Sequence, residues 1–295
     1  MVMQKTFCLT LVTMMSTACA ERAAQPVNNP PLASSQPATS SLPPSAKPKL
    51  AQVVAGAQRT DDERKRDVYR HPVETLDFFG IAENMHVVEL NAGQGWFTAI
   101  LGPFLNPSGA LTVTTADQNG PPDSEGTKNA KALAARLSTD PASYSKVTMV
   151  VADWKNSGVS LGPDASADMV LTFRNLHGWI RDGVLDNVLS ASFRVLKHGG
   201  ILGIEQHRGK PDGSTDPKAI GDSGYLPEEH VVRLIESAGF KLSGKSEINA
   251  NAKDTKDYPK GVWTLPPTFR LGDVDREKYA AIGESDRMTL KFVKP

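Results

Sequence analysis

Cysteine is almost missing from this 295-residue chain: there are two, Cys8 and Cys19, both within the first 19 residues. Everything after them therefore lacks a disulfide, a cysteine-ligated zinc, an iron–sulfur cluster and a thiol nucleophile. Net charge is missing as well, with 33 Lys and Arg balanced by 33 Asp and Glu. Zero net charge gives no general pull toward nucleic-acid phosphates or acidic lipid, so neither a nucleic-acid partner nor a polybasic membrane protein is expected. Long apolar runs are absent too; no segment reaches the roughly 20 residues that a membrane helix needs. What is present is a hydrophobic content of 39%, enough for a globular core of one large domain or two small ones.

The first twenty residues carry an address. Lys5 is a minimal positive n-region, Phe7 to Met15 form a short apolar stretch, and small residues follow from Ser16 to Ala20. This is the layout of a bacterial export signal, so residues 1–20 are expected to be a signal peptide and the protein to be periplasmic. Two processing routes stay open. Ser16-Thr17-Ala18-Cys19 resembles a lipobox, with Ser16 where a leucine-like residue is usual, and would attach a lipidated Cys19 to the outer membrane. Ala18-Cys19-Ala20 also reads as an ordinary cleavage site. Residues 23–50 hold seven prolines, five alanines and five serines, with only Lys47 and Lys49 charged. Such a segment buries little apolar surface, and a disordered linker is expected over 21–50. One domain of about 240 residues, 51–295, remains.

Within it, short apolar runs suited to buried parallel strands occur at His86–Leu90, Ala110–Thr115, Val147–Val151, Asp168–Phe173 and Gly200–Ile204. Val184, Leu185, Val188, Leu189, Phe193 and Leu196 recur at helical spacing, and Gly199-Gly200 reads as the helix stop. A second helix follows Pro227 and ends before Gly239; strands are expected at Phe240–Ile248 and Met288–Val293. Asp61–Phe79 reads as one or two charged helices. This alternation predicts an α/β, doubly wound, Rossmann-like sheet with ligands at the carboxyl ends of its strands.

After the first run comes Glu89-Leu90-Asn91-Ala92-Gly93-Gln94-Gly95, a strand, a small-residue turn and a helix start. Gly93 and Gly95 let a ligand approach the backbone, and the helix start offers free N–H groups. A bare tight turn that binds nothing has the same composition. The dinucleotide fingerprint is not met, because positions 91 and 98 are Asn91 and Thr98. An acid followed by spaced glycines resembles the first motif of the class I S-adenosylmethionine-dependent methyltransferases. So do Asp117 after the second strand, Asp153-Trp154 after the third, and the approach to Gly200. The domain is also similar to a group of exported bacterial predicted methyltransferases, through Arg70-His71-Pro72, Leu171–His177, Ile248–Asn251, Tyr258–Trp263 and Ile282–Met288. That group carries no substrate with its label.

The resemblance implies a mostly parallel sheet with a C-terminal antiparallel strand, and S-adenosylmethionine as cofactor. The glycine loop would face the methionine carboxylate and Glu89 the amino group. Asp117 would accept from the ribose hydroxyls, Asp153 from the adenine amino group, and Trp154 would offer a flat apolar surface. Asn91 stands where the family pattern has glycine and puts a side chain at the methionine end. Without a ligand, Asp117 is a solvated turn residue and Asp153 a helix N-cap.

Two polar clusters follow the fourth and fifth strands, Arg174-Asn175-Leu176-His177 and Glu205-Gln206-His207-Arg208. His177 is the first candidate for a base or for acceptor orientation, with Arg174 and Asn175 positioning an anionic or polar substrate and Glu205 and His207 behind them. Residues 249–287 are too long for a hairpin and are expected to form a lid carrying Tyr258, Trp263, Pro266-Pro267 and Glu284, Asp286 and Arg287. The insertion at 118–145 would form the other wall. Three functions fit: a methyltransferase acting on a small molecule, envelope component or protein side chain; a non-catalytic exported binding protein on the same fold; and a hydrolase or metal enzyme using His177, Glu205 and His207.

Overall fold

The computed structural model describes residues 45–295; the expected signal peptide, Cys8, Cys19 and most of the expected linker lie outside the described residues. Among these residues four helices precede the first strand: α1 (Lys47–Val54), α2 (Asp61–Arg64), α3 (Asp67–Arg70) and α4 (Pro72–Phe79). There follow β1 (His86–Leu90), α5 (Thr98–Leu105), β2 (Ala110–Thr115), α6 (Glu125–Thr139), α7 (Pro141–Tyr144) and β3 (Val147–Val151). Next come β4 (Ala167–Phe173), α8 (Leu176–Arg181), α9 (Leu185–Val195), β5 (Leu196–His207), α10 (Pro217–Ser223), α11 (Glu228–Ser237) and β6 (Lys241–Ser246). A 3-10 turn at Gly261–Thr264, then α12 (Arg276–Ile282) and β7 (Arg287–Val293), complete the described chain.

The seven strands form one sheet in the order β3-β2-β1-β4-β5-β7-β6. β1 pairs in parallel with β2 on one side and β4 on the other, while β7 runs antiparallel between β5 and β6. The near-continuous apolar sequence of β1 and β4 follows from this central place, since both of their faces are covered. Alternation along each strand feeds two cores. Val87, Met169 and Leu171 pack with α1, α4 and α5, whereas Val88, Val170 and Leu202 pack with α8, α9 and α11. After β3 the chain returns to the far side of β1, so the strand order reverses between β1 and β4, and a crevice opens at their carboxyl ends.

Two boundaries differ from the sequence reading. Leu50 on α1 is fully buried against this core, so the folded part reaches back before residue 51. Gly199-Gly200 does not stop α9; the helix ends at Val195, and both glycines lie inside β5. There Gly199 adopts φ 77°, and a Cβ on Gly200 would come within 2.9 Å of Leu196 Cδ2, so the pair bends the strand rather than capping a helix. Among the described residues no helix is long and apolar enough to cross a membrane.

Candidate functional site

The loop leaving β1 makes three left-handed turns, at Asn91 (φ 46°), Gly93 (φ 60°) and Gly95 (φ 86°). Asparagine tolerates that region better than other side chains, which is how it can occupy a glycine position. Asn91 N–H donates to Thr114 Oγ1 at 2.8 Å, and its Oδ1 accepts from the indole Nε1 of Trp154 at 2.9 Å. The Asn91 side chain is thus directed toward the end of β3. A Cβ added at Gly93 would meet nothing within 4 Å, whereas at Gly95 it would lie 2.8 Å from Leu133 of α6. Gly93 therefore opens the loop to a ligand, and Gly95 lets α6 close on it.

Two cavities meet at this loop. The larger, about 750 Å³, lies between α3, the loop and α6, with Arg70, Asn91, Trp96, Arg136, Phe173 and Arg174 in its walls. The smaller, about 340 Å³, is lined by Thr115, Ala116, Gly126, Ala152 and Trp154. Asn91, Gly93, Asn129 and Asn175 border both. Beneath the loop Glu89 is buried and accepts from Thr98 Oγ1, the first residue of α5, at 2.6 Å. Burial pushes its carboxyl up to about 8, against the opposing pull of that hydrogen bond and of the Arg174 and Arg136 guanidiniums.

The structure distributes the sequence candidates unequally. Glu89, Asn91, Gly93, Trp154, Arg174 and Asn175 come together around the two cavities, and Gly95 sits behind the loop. Trp154 is buried, edge-on to Trp179 at 6.3 Å, so it presents a wall rather than a free face. Asn175 Nδ2 donates to Leu90 O and Thr172 Oγ1, both at 3.1 Å, and so ties β4 to β1 across the crevice. Asp117 and Asp153 are exposed, and each turns its carboxylate to a backbone N–H two residues on, of Asn119 at 2.8 Å and Lys155 at 3.2 Å. Neither is among the residues lining the two cavities.

Beyond β4 the polar groups are tightly engaged. Arg174 adopts φ 63°, and its Nη1 donates to Glu205 Oε1 at 2.7 Å. Arg287 reaches the same oxygen at 3.2 Å. Burial alone would push the Glu205 carboxyl up; Arg174, Arg287 and Arg70 together hold it below the usual carboxylate range. Burial drives His177 down to about 4, and its Nδ1 lies 3.3 Å from Gln206 Nε2. His207, 5.6 Å from His177 between ring centres, is also pushed well below the usual range, by burial and then by His177 and Arg287. Both rings are neutral near pH 7, and a carboxylate held by two arginines is a poor proton acceptor. Among the described residues no cluster of three His, Cys, Asp or Glu could hold a metal ion.

A third cavity of about 280 Å³ adjoins the first, with Arg66, Arg70 and Arg174 common to both. Its other walls are His207, Trp263, Pro266, Pro267 and Arg287. Thus part of the 249–287 segment does stand over the sheet's carboxyl edge. Sequence reasoning gave Arg66, Arg70, Trp96, Asn129 and Arg136 no role. Arg70-His71-Pro72 was a visible signal, and the structure shows its arginine meeting Glu284 from the other singled-out stretch, at 3.3 Å.

Comparison with protein-family models finds no match, and comparison with curated protein sequences finds none either. Solved structures do match. A SAM-dependent methyltransferase from Aquifex aeolicus superposes with TM-score 0.51 at 14% identity, over 84% of this chain and 98% of that one. The [4+2]-cyclase SpnF superposes with TM-score 0.53 at 15% identity, over 85% and 93%. At such identity the likeness concerns the fold, and two proteins named for different reactions share it. With its strand order, its antiparallel β7 and its glycine loop at the switch point, the chain has the fold of the class I S-adenosylmethionine-dependent methyltransferases.

Proposed function

We propose that this protein binds S-adenosylmethionine across the two cavities at the glycine loop and transfers its methyl group to a small acceptor. The observation that carries this reading is the open face of Gly93 where both cavities meet, above the buried carboxyl of Glu89. The residues fit such a ligand. The slot of Thr115, Ala116, Ala152 and Trp154 suits a flat adenine, Asp117 and Asp153 could swing from their turns to the ribose and base, and Glu89 would ionise beside an ammonium group. Bound there, S-adenosylmethionine would supply an electrophilic methyl carried on a sulfonium. The chain's part is then to orient the acceptor, since methyl transfer depends mainly on in-line placement. Arg174 and Asn175 border the cleft for that task. His177, Glu205 and His207 are positioning groups rather than bases, so an acceptor that arrives already nucleophilic suits the site best.

Calorimetry of the full chain with S-adenosylmethionine and its demethylated product tests the proposal; no heat of binding at millimolar ligand sinks it. Asp117→Ala should weaken binding, and an unchanged affinity removes the ribose assignment. A second reading, a non-catalytic exported binding protein on this fold, draws on the same engagement of His177 and Glu205. It predicts binding without turnover across candidate acceptors. Export is part of the proposal, by either processing route at Cys19 or Ala20. A reporter fused after residue 50 should be active only in the periplasm, and labelling with a radioactive fatty acid separates the routes.

A further inference from the structure

Four guanidiniums converge where α2–α3, the loop after β4 and the start of β7 meet. Arg174 and Arg287 share Glu205, while Arg66, Arg70 and Arg287 share Glu284. Four positive charges thus face two negative ones, in a chain whose overall charge is zero. The nearby carboxylates of Asp67 and Glu63 are already taken, by Arg59 and Arg136. Glu284 is held well below the usual carboxylate range despite its burial, chiefly by Arg287, Arg70 and Arg66, so it remains charged and the count stands. An uncompensated pair of positive charges in a part-buried cluster is costly unless a ligand neutralises it.

The guanidiniums also have donors to spare. Arg66 and Arg70 each give only Nε to Glu284, at 2.6 and 3.3 Å, and Arg174 gives only Nη1 to Glu205. Among the described residues these three side chains make no other hydrogen bond, and Arg287 Nε, on a buried side chain, has no partner. Arg70 is fixed in place with its guanidinium 4.6 Å from the Trp96 ring centre. All four arginines line the 280 Å³ chamber together with their counter-ion Glu284, with His207, and with the apolar groups of Val262, Trp263, Pro266 and Pro267. No residue of the glycine loop borders that chamber. Forked donors and flat apolar groups in the wall of one chamber select an oxyanion attached to an apolar body.

We propose that this chamber is the acceptor site, for a small molecule with a doubly charged oxyanion head held by Arg66, Arg70, Arg174 and Arg287 and a flat apolar body against Trp263 and Pro266-Pro267. The name acceptor rests on the methyl-transfer reading; the anion site does not. Phosphate monoesters and dicarboxylates share the required chemistry. Phenyl phosphate and phthalate are therefore titrated into the full chain by calorimetry, beside inorganic phosphate and benzyl alcohol, with and without saturating S-adenosylmethionine.

At least one aromatic dianion should bind about 10-fold or more tighter than inorganic phosphate or benzyl alcohol, and the better one names the head. Arg66→Gln, at a partly exposed position, should weaken it by about 10-fold. Trp263→Ala should weaken the aromatic dianion and leave inorganic phosphate unchanged. Urea midpoints for both variants separate lost binding from lost fold. Three results overturn the proposal: no dianion binding at millimolar concentration, wild-type affinity in Arg66→Gln, or exclusion of both dianions by S-adenosylmethionine, which would give the arginines to the donor's carboxylate. Dianion binding without S-adenosylmethionine binding leaves the anion site standing and removes the methyl-transfer reading; the reverse result does the opposite.

Discussion

Replacing Glu89 by glutamine removes a proton-binding group that the fold keeps in its unusual state, and the consequence for stability is calculable. An unfolded chain loses this proton near the ordinary glutamate value of about 4.3, whereas the folded chain keeps it up to about 8. Across that window the unfolded state holds fewer protons, so stability falls as pH rises, by about 1.4 kcal/mol per pH unit. His177 and His207 act in the opposite sense lower down. The unfolded chain protonates them near 6.5, while folded His177 waits until about 4 and His207 is pushed down in the same direction, so stability falls as pH drops below 6.5. Just below 6.5 the two histidines outweigh the one carboxyl, and above 6.5 the Glu89 slope takes over as the unfolded histidines finish losing their protons. Stability should therefore peak near pH 6.5 and be about 1 kcal/mol lower at pH 8. Glu89→Gln keeps the hydrogen bond from Thr98 through its carbonyl and should flatten the alkaline side while leaving the acid side. Urea titrations at several pH values between 5 and 8.5 read this directly. If the variant declines with pH as steeply as the wild type, the burial argument for Glu89 is wrong.

Other substitutions separate further parts of the argument. Asn91→Gly keeps the left-handed turn but leaves the buried Trp154 N–H without its acceptor; urea stability should drop by about 1–2 kcal/mol while S-adenosylmethionine binds no more weakly. Gly93→Ala has open space but a φ of 60°, so it should cost only about 1–2 kcal/mol yet weaken cofactor binding by calorimetry. Gly200→Ala meets Leu196 and the Lys197 carbonyl at 2.9 Å and should cost about 1–3 kcal/mol with cofactor affinity unchanged. Glu284→Gln strips three arginines of a shared counter-charge and should destabilise by about 3–5 kcal/mol, read from urea midpoints; a loss under 1 kcal/mol would contradict the ion-pair network.

How much of this was legible depended on the range of the interaction. The bounds of β1, β2 and β3 match the sequence runs residue for residue. For β1 the reason is its central place, since a parallel strand covered on both faces reads as apolar, whereas the edge strand β3 is only partly buried. Gly199-Gly200 misled because a glycine pair after a helical pattern is a stop signal, and only the pairing of Leu196 with Ala167 on β4 reveals a strand. Asn91 was readable as a departure from the glycine pattern. Its direction was not, since it depends on Trp154, 63 residues away. Arg174, His207 and Glu205 could be placed at strand ends by topology alone. Arg66 and Arg70 could not: nothing local to α2–α3 says that their carboxylate lies beyond residue 280.

That separation has a consequence for how the molecule forms. The contacts of Arg66 and Arg70 with Glu284 close loops of 218 and 214 residues, and β7, which follows Glu284, must slot between β5 and β6, two strands already made. Contacts of such long sequence separation form late and slow the approach to the native state. Without Glu284, Arg66 and Arg70 have no carboxylate partner and Arg174 has only Glu205. The 280 Å³ chamber, with Glu284, Ser285 and Arg287 in its wall, is therefore complete only once β7 is in place, whereas the cavities at the glycine loop take no residue from that end of the chain.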